Sequence, residues 1–280
     1  MKNSKIEWTD CSFNPWIGCS KVSPGCAHCY AEALNRRMGW TQWGDAGERF
    51  RTSPHNWHEP RRWDREAAKS GQRIRVFCAS LADWLDAKVP NAWRVDLLAL
   101  IDETPNLDWL LLTKRPIEWR ARMHKAKATG SPLAHSWLNG VAPANVWVGT
   151  SIEDQHRADG RIPALVAIPA RIRFLSCEPL LGPLALPIRR QIITGFPKHI
   201  SADGCAIGAP LSIHWTICGG ESGPGARPMH PDWARSLRDQ CAAAGVAFFM
   251  KQMGGTRKPF DEIPSDLLVR EFPEVTQCAS

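Results

Sequence analysis

Short apolar runs of β-branched and Leu-rich character recur along the chain with longer amphipathic stretches between them, the pattern of a parallel sheet covered by helices. Candidate strands fall at 13–17, 74–79, 109–113, 146–151, 172–177 and 215–219, with 247–251 as a seventh. Helical patterns lie between them at 27–38, 92–103, 117–127, 155–167 and 232–244, and Pro116 and Pro231 stand at or near helix starts, where a missing N–H costs little. At 280 residues the chain sits within the range of one α/β barrel. The expected fold is therefore α/β, a partial (β/α)6-type TIM barrel, read as a single domain over 1–280. Three segments fall outside the repeat: 39–73, rich in Trp, Arg and His, reads as an insertion or lid, 186–211 as an excursion, and 255–280 as a C-terminal extension.

Apolar residues at 44% and charged residues at 22% supply a full hydrophobic core and exclude disorder, collagen and coiled coil. No run approaches the roughly 18 apolar residues of a membrane span, and the first residues lack the apolar stretch of a signal peptide, so a cytoplasmic location is expected. In that reducing compartment ten cysteines are not read as disulfides, and a close cluster of them is better read as a metal site.

Nearly every candidate strand ends in a polar or reactive group. Cys19 follows the first, Ser80 and Asp83 the second, Thr113 and Lys114 the third, Ser151, Glu153 and Asp154 the fourth, Cys177 and Glu178 the fifth, and Glu221 and Ser222 the sixth. In a parallel barrel these C-terminal ends converge on one face, where such barrels keep their chemistry.

The tightest cluster is Cys19, Cys26 and Cys29, with six residues and then two between them, in a loop from the first strand into a helix. Gly18, Pro24 and Gly25 permit a tight wrap. A 4Fe-4S cluster normally takes four cysteines; three leave one iron with an open position that a small molecule can chelate. The competing reading is structural zinc, with Cys11 or His28 as the fourth ligand.

The run Asn14-Pro15-x-x-Gly18-Cys19, the close Gly25-Cys26-x-x-Cys29-Tyr30-Ala31 and the helix after it resemble the cluster loop of the radical S-adenosylmethionine (SAM) superfamily, nearest its spore photoproduct lyase-like branch. The longer spacing, with Gly219-Gly220-Glu221-Ser222-Gly223 near the C-terminus, also resembles a phage-associated family of three-cysteine proteins. The resemblance runs from Asn14 to about Gly254. It departs at the first cysteine gap, which has six residues where the superfamily most often has three.

The resemblance implies a 4Fe-4S cluster on Cys19, Cys26 and Cys29, S-adenosyl-L-methionine on its open iron, hydrogen abstraction from a substrate, and an electron donor such as flavodoxin or ferredoxin. The cofactor carries the difficult step. It further implies that Ser80, Lys114 and Ser151 contact the methionine end, that Tyr30 lies against the adenine, and that Glu153 or Glu178 binds the ribose hydroxyls or the ammonium. Lys114 as a solvated loop lysine and Tyr30 as a packing residue stand beside these readings. Gly219, Gly220 and Glu221 could cradle a phosphate through backbone N–H groups, bring backbone against cofactor or substrate, or form a plain tight turn. Cys177 and Cys218 could donate a hydrogen atom or ligate a second metal, or be small core hydrophobes. Spore photoproduct lyases carry a hydrogen-donating cysteine immediately before the serine, where this chain has Ala79. Cys78 should face the other side of its strand, which disfavours thymine-dimer reversal.

Lysine and arginine exceed aspartate and glutamate by seven, and ten basic against five acidic residues between Arg36 and Arg75 supply five of that excess. Trp40, Trp43, Trp57 and Trp63 interleave with them. Cations for phosphates and aromatic faces for bases compose a nucleic-acid groove; Arg–Trp pairs also pack ordinary lids. His55 and His58 read as loop residues between Pro54 and Pro60. The expected activity is radical SAM modification or repair of a nucleic-acid base or nucleotide, such as a modified phage pyrimidine in DNA. The alternatives are a peptide or small-metabolite substrate, or a zinc-stapled nucleic-acid-binding protein.

Overall fold

A computed structural model describes residues 4, 6–187, 199–200, 206–207, 213–256 and 262–274. In chain order the strands are β1 (Cys11–Ser12), β2 (Trp16–Ile17), β3 (Phe50–Arg51), β4 (Ile74–Cys78), β5 (Leu107–Thr113), β6 (Val146–Ser151), β7 (Ile172–Cys177), β8 (His199–Ile200), β9 (Ala206–Ile207), β10 (Trp215–Gly219) and β11 (Ala247–Gln252). Seven of them form one sheet in the order β1-β4-β5-β6-β7-β10-β11, every pair parallel. The pairs β2–β3 and β8–β9 are short antiparallel ladders outside it. The helices are α1 (Tyr30–Met38), α2 (Pro54–Ser70), α3 (Asn91–Asp102), α4 (Trp119–Ala128), α5 (Pro132–Leu138), α6 (Gln155–Val166) and α7 (Pro231–Ala244). Among the described residues no helix is long and apolar enough to cross a membrane.

The sheet is curled. Trp8, just ahead of β1, sits 4.6 Å from the Phe77 ring of β4 and 6.2 Å from the Trp215 ring of β10. Those strands are four positions apart and would stand about 19 Å from each other in a flat sheet, beyond the reach of one indole. Phe77, Leu110, Trp147, Phe174, Ile217 and Phe249 fill the concave side as one cluster. Gly149 makes room there, since a Cβ on it would meet Phe174 Cζ at 2.3 Å. The alternate residues Val76, Leu111, Val148, Leu175 and Cys218 face outward against Leu97, Met123, Ile162 and Leu237 of the helices. The alternation of inward and outward residues thus builds two cores from one sheet. The fold is the expected partial barrel.

Several boundaries move for identifiable reasons. The first strand pairs through Cys11–Ser12 rather than 13–17, because Phe13 N–H donates the last ladder bond to Phe77 (2.9 Å) and Pro15 has none to give. Trp16–Ile17 then turns away to pair with Phe50–Arg51. Residues 54–70, read from the sequence as part of a loop-like insertion, are a helix: Ser53 accepts from Asn56 N–H, Pro54 sits in the first turn, and Trp57, Trp63 and Ala67 bury one face. His55 and His58 lie on that helix. Pro60 removes one helical hydrogen bond, and burial of the tryptophan face outweighs that loss. Most of 186–211 lies outside the described residues; of 255–280, the described part packs Leu267 and stacks Phe272 on Trp215 at 5.3 Å.

Candidate active site

A cavity of about 480 Å³ opens at the C-terminal ends of the strands, above the concave core. Trp8, Phe77 and Leu112 form its apolar floor, and Ser80, Lys114, Ser151, Glu178 and Lys251 rise from strand ends around it. The loop between β2 and α1 covers it, and Cys19, Cys26 and Cys29 all line it. Curling is what brings residues from β4 round to β11 onto one cavity.

The cysteine loop is pinned from both sides. Gly18 N–H donates to Leu81 O (3.1 Å), Gly44 N–H to Cys19 O (3.0 Å), and the buried Arg49 guanidinium to Ser20 Oγ (2.7 Å) while it pairs with Asp86. Residues 41–51 therefore buttress the loop. All three thiols are free. Burial raises the Cys19 thiol to about 12, with Asp83 adding to the effect and Arg115 opposing it; burial also raises Cys29. Arg115 donates one Nη1 hydrogen to Asp83 (2.8 Å) and lies 3.5 Å from Cys19 Sγ through the same nitrogen.

Glu153 is fully buried and does not line the cavity. Ser23 Oγ donates to it (2.6 Å), Arg161 donates to it (2.9 Å), and Lys114 Nζ lies 3.4 Å away. Burial alone would raise this carboxyl, but Lys114 and Arg161 together with these hydrogen bonds hold it below the ordinary range. The same carboxylate fills the space beside Gly25, where a Cβ would meet Glu153 Cγ at 2.4 Å. Glu153 is thus the post on which the cysteine loop rests. Glu178 is the carboxylate that faces the cavity, paired with Lys251 Nζ at 2.5 Å. Of the two candidates for ribose or ammonium binding, Glu178 faces the cavity and Glu153 does not.

Lys114 is held beside Glu153 rather than solvated, and its backbone N–H donates to Asp83 (2.9 Å). Tyr30 is half-exposed at the cavity, its hydroxyl donating to the Ser80 carbonyl at 2.7 Å. The Ser80 hydroxyl is engaged with Asn14 (3.0 Å), while Ser151 is buried in the cavity wall.

In the Gly219–Gly225 segment the N–H groups of Gly220 and Gly223 are not available to a phosphate. Gly220 N–H donates to Gln252 O (3.0 Å) and Gly223 N–H to Gly255 O (3.0 Å), so both donors are used. A Cβ on Gly220 would sit 1.8 Å from Met253 O, which is why glycine is needed there. Gly219 lies in the β10 ladder and off the cavity lining. Glu221 does reach the cavity rim, accepting from His28 Nδ1 (2.9 Å) and from Arg227 Nε (2.8 Å). Burial opposes its ionisation, yet the bonds from Arg227 and His28 bring its carboxyl down to about 2.

Cys177 and Cys218 point the other way. Both are fully buried in the sheet–helix core and neither lines the cavity, so their place is that of small hydrophobes rather than hydrogen donors or ligands. Cys78 also faces that core, and Ala79 occupies the cavity-facing position next to it. Trp57 and Trp63 are buried and cannot stack on bases. Seven of the basic residues from Arg36 to Arg75 have carboxylate partners: Arg36, Arg49, Arg51, Arg61, Arg62, Arg73 and Arg75 pair with Glu32, Asp86, Asp96, Glu103, Glu59, Asp108 and Asp10.

A family model described as "Protein of unknown function (DUF5131)" matches residues 3–271. The chain belongs to that family. No curated protein matches the sequence. Among solved structures, a spore photoproduct lyase mutant with bound AdoMet and dinucleoside spore photoproduct is similar at 11% identity and a TM-score of 0.40, over 88% of this chain and 65% of that one. A likeness at that level leaves the chemistry to be read from the residues themselves.

In this DUF5131 chain the cavity presents three cysteine thiols, which suit an iron–sulfur cluster with one open iron and equally supply three of the four ligands of a structural zinc. Among the described residues no three His, Cys, Asp or Glu side chains gather to hold one metal ion, yet three free thiols share one cavity wall. Of the two candidates for a fourth zinc ligand, His28 lines the cavity and Cys11 does not. Cys11 lies in the outer core, whereas Glu221 holds His28 Nδ1 and leaves Nε2 as the nitrogen available to a metal. Sequence reasoning missed Arg115, Arg161, Arg227 and Lys251 as site residues, each an ordinary cation until the fold supplies its partner. The adjacency of Arg115 to Lys114 at a strand end was the available signal for one of them.

Proposed function

We propose that this protein is a radical SAM-type enzyme whose Cys19, Cys26 and Cys29 hold a 4Fe-4S cluster. The observation that carries the reading is that three free thiols of one loop line the cavity at the strand ends of a partial barrel, beside Lys114, Ser151 and Glu178. When bound, such a cluster with an open iron supplies one-electron cleavage of SAM and thereby hydrogen abstraction from a substrate. The chain's own groups do the rest. Lys114 supplies a cation for the SAM carboxylate, and Tyr30 presents an aromatic edge for the adenine from the residue after Cys29. Glu178 offers an acceptor to ribose hydroxyls or the ammonium, and the floor of Trp8, Phe77 and Leu112 keeps that side of the cavity apolar.

The substrate class we propose is a nucleic-acid base or nucleotide, on the net charge of +7 and the exposed Arg37 of α1, the helix that starts from Cys29. A base in a duplex would have to be extruded to enter this cavity. A flavodoxin- or ferredoxin-type protein would deliver the electron.

The test is anaerobic reconstitution with iron and sulfide, reduction with dithionite in the presence of SAM, and measurement of 5′-deoxyadenosine, with Cys26→Ala as control. A brown protein that forms 5′-deoxyadenosine only with all three cysteines supports the reading. A colourless protein holding one zinc overturns it. Stimulation by DNA, RNA or nucleotides supports the substrate class, and a yield indifferent to all three sinks that class alone.

A further inference from the structure

We infer that Arg115 is a tuning residue for the cluster, donating a hydrogen bond to the Cys19 thiolate that raises the cluster's reduction potential. The inference rests on the cluster reading above. Arg115 Nη1 lies 3.5 Å from Cys19 Sγ, ordinary for an N–H···S bond. The guanidinium is fixed rather than swinging. Its Nη1 donates its other hydrogen to Asp83 Oδ2 at 2.8 Å, and Nη2 donates to Ser20 O at 2.7 Å. Asp83 is itself locked, accepting from Thr113 Oγ1 (2.7 Å), Lys114 N–H (2.9 Å) and Leu85 N–H (3.0 Å). Arg115 therefore joins the loop residue that carries a ligand to the ends of β4 and β5.

Hydrogen bonds to cluster sulfurs and nearby positive charge stabilise the more negative, reduced state, and so raise the potential. Asp83 works in the opposite direction on the same sulfur. With Arg115 in place the carboxylate is neutralised; without it, an unpaired carboxylate remains beside Cys19. Substitution should therefore lower the potential through both effects. Among the cluster thiols, Cys19 is the one the described structure supplies with a guanidinium donor, which makes its iron site electronically distinct.

The experiment is a redox titration of the reconstituted cluster in wild type, Arg115→Lys and Arg115→Met, followed by electron paramagnetic resonance, with iron and sulfide counted in each. The expected result is a midpoint shifted to more negative potential in both variants, further for Met than for Lys, with the cluster retained. Wild-type midpoints in variants that hold the cluster overturn the inference and leave the cluster reading intact. Should the variants fail to fold or load, resonance Raman of the wild-type cluster in H₂O and D₂O decides. An isotope shift in an Fe–S(Cys) stretch that selective labelling assigns to Cys19 upholds the bond, and its absence overturns it. Failure of the wild type to assemble any cluster is a different result and overturns the reading beneath.

Discussion

Lys251 Nζ reaches Glu178 Oε1 at 2.5 Å across the strand that separates them, and the residue beneath the pair is Gly219. A Cβ on Gly219 would lie 3.1 Å from that same oxygen, so the missing side chain is what leaves room for an ion pair over β10. Breaking one side of a largely buried pair leaves the other charge uncompensated, whereas removing both is much cheaper. Lys251→Met should therefore cost about 1–3 kcal/mol, and adding Glu178→Gln should recover part of that loss. Urea unfolding of the four members of this cycle measures the coupling. Strictly additive losses would show that the pair contributes nothing as a pair.

Gly25→Ala should empty the proposed cluster site without unfolding the protein. The new methyl would fall 2.4 Å from Glu153 Cγ, and Glu153 is held by Ser23, Lys114 and Arg161, so the loop must move instead. The expected outcome is far-ultraviolet circular dichroism like that of the wild type and a loss of bound iron and sulfide of tenfold or more after reconstitution. Full iron content in the variant would show that the loop has no need to rest on Glu153.

Glu221 gives the protein an acid sensitivity of known sign. Its carboxyl falls from an ordinary 4.5 to about 2 in the folded chain, so its contribution is complete above pH 4.5 and is lost as pH falls through 2. The size at neutral pH is at most about 3 kcal/mol, since one pKa unit corresponds to about 1.4 kcal/mol. Glu221→Gln should be less stable than wild type at pH 7 and should show a flatter stability profile between pH 5 and 2. Parallel profiles for the two proteins would mean that Arg227 and His28 do not hold the carboxylate as the geometry requires.

The sheet was legible in the sequence because its strands are buried on both faces and read as continuous apolar runs between amphipathic stretches. Three strands, at 146–151, 172–177 and 215–219, match their expected limits. The helix at 54–70 was hidden because Pro54 and Pro60 speak locally for a loop, while the fact that decides it, burial of Trp57 and Trp63, is tertiary. The same limit applies at the site. Cysteine spacing marked Cys19, Cys26 and Cys29, but a strand-end position alone did not say which side a residue faces. Alternation separates Ser176, which lines the cavity, from Cys177, which is buried in the outer core. Glu153 and Glu178 are equivalent in sequence terms and differ in placement, because only the fold puts Ser23, Lys114 and Arg161 around the first.

Cys19 should behave as a thiol that resists ionisation until a metal takes its proton. Burial and the Asp83 carboxylate raise it to about 12 against the opposing pull of Arg115. Because the thiolate is the nucleophile, alkylation of Cys19 by iodoacetamide in the metal-free protein should be roughly a thousandfold slower at pH 8 than that of free cysteine. The rate should climb about tenfold per pH unit between pH 7 and 10. Peptide mapping by mass spectrometry separates Cys19 from the other thiols. Arg115→Met should slow the reaction further, since the residue that favours the thiolate is gone while Asp83 remains. Metal binding requires the same deprotonation, so loading releases a proton and strengthens as pH rises. Alkylation of Cys19 at the rate of an exposed thiol would mean that the loop does not bury it, and the pH dependence of loading would then have to come from the other two cysteines.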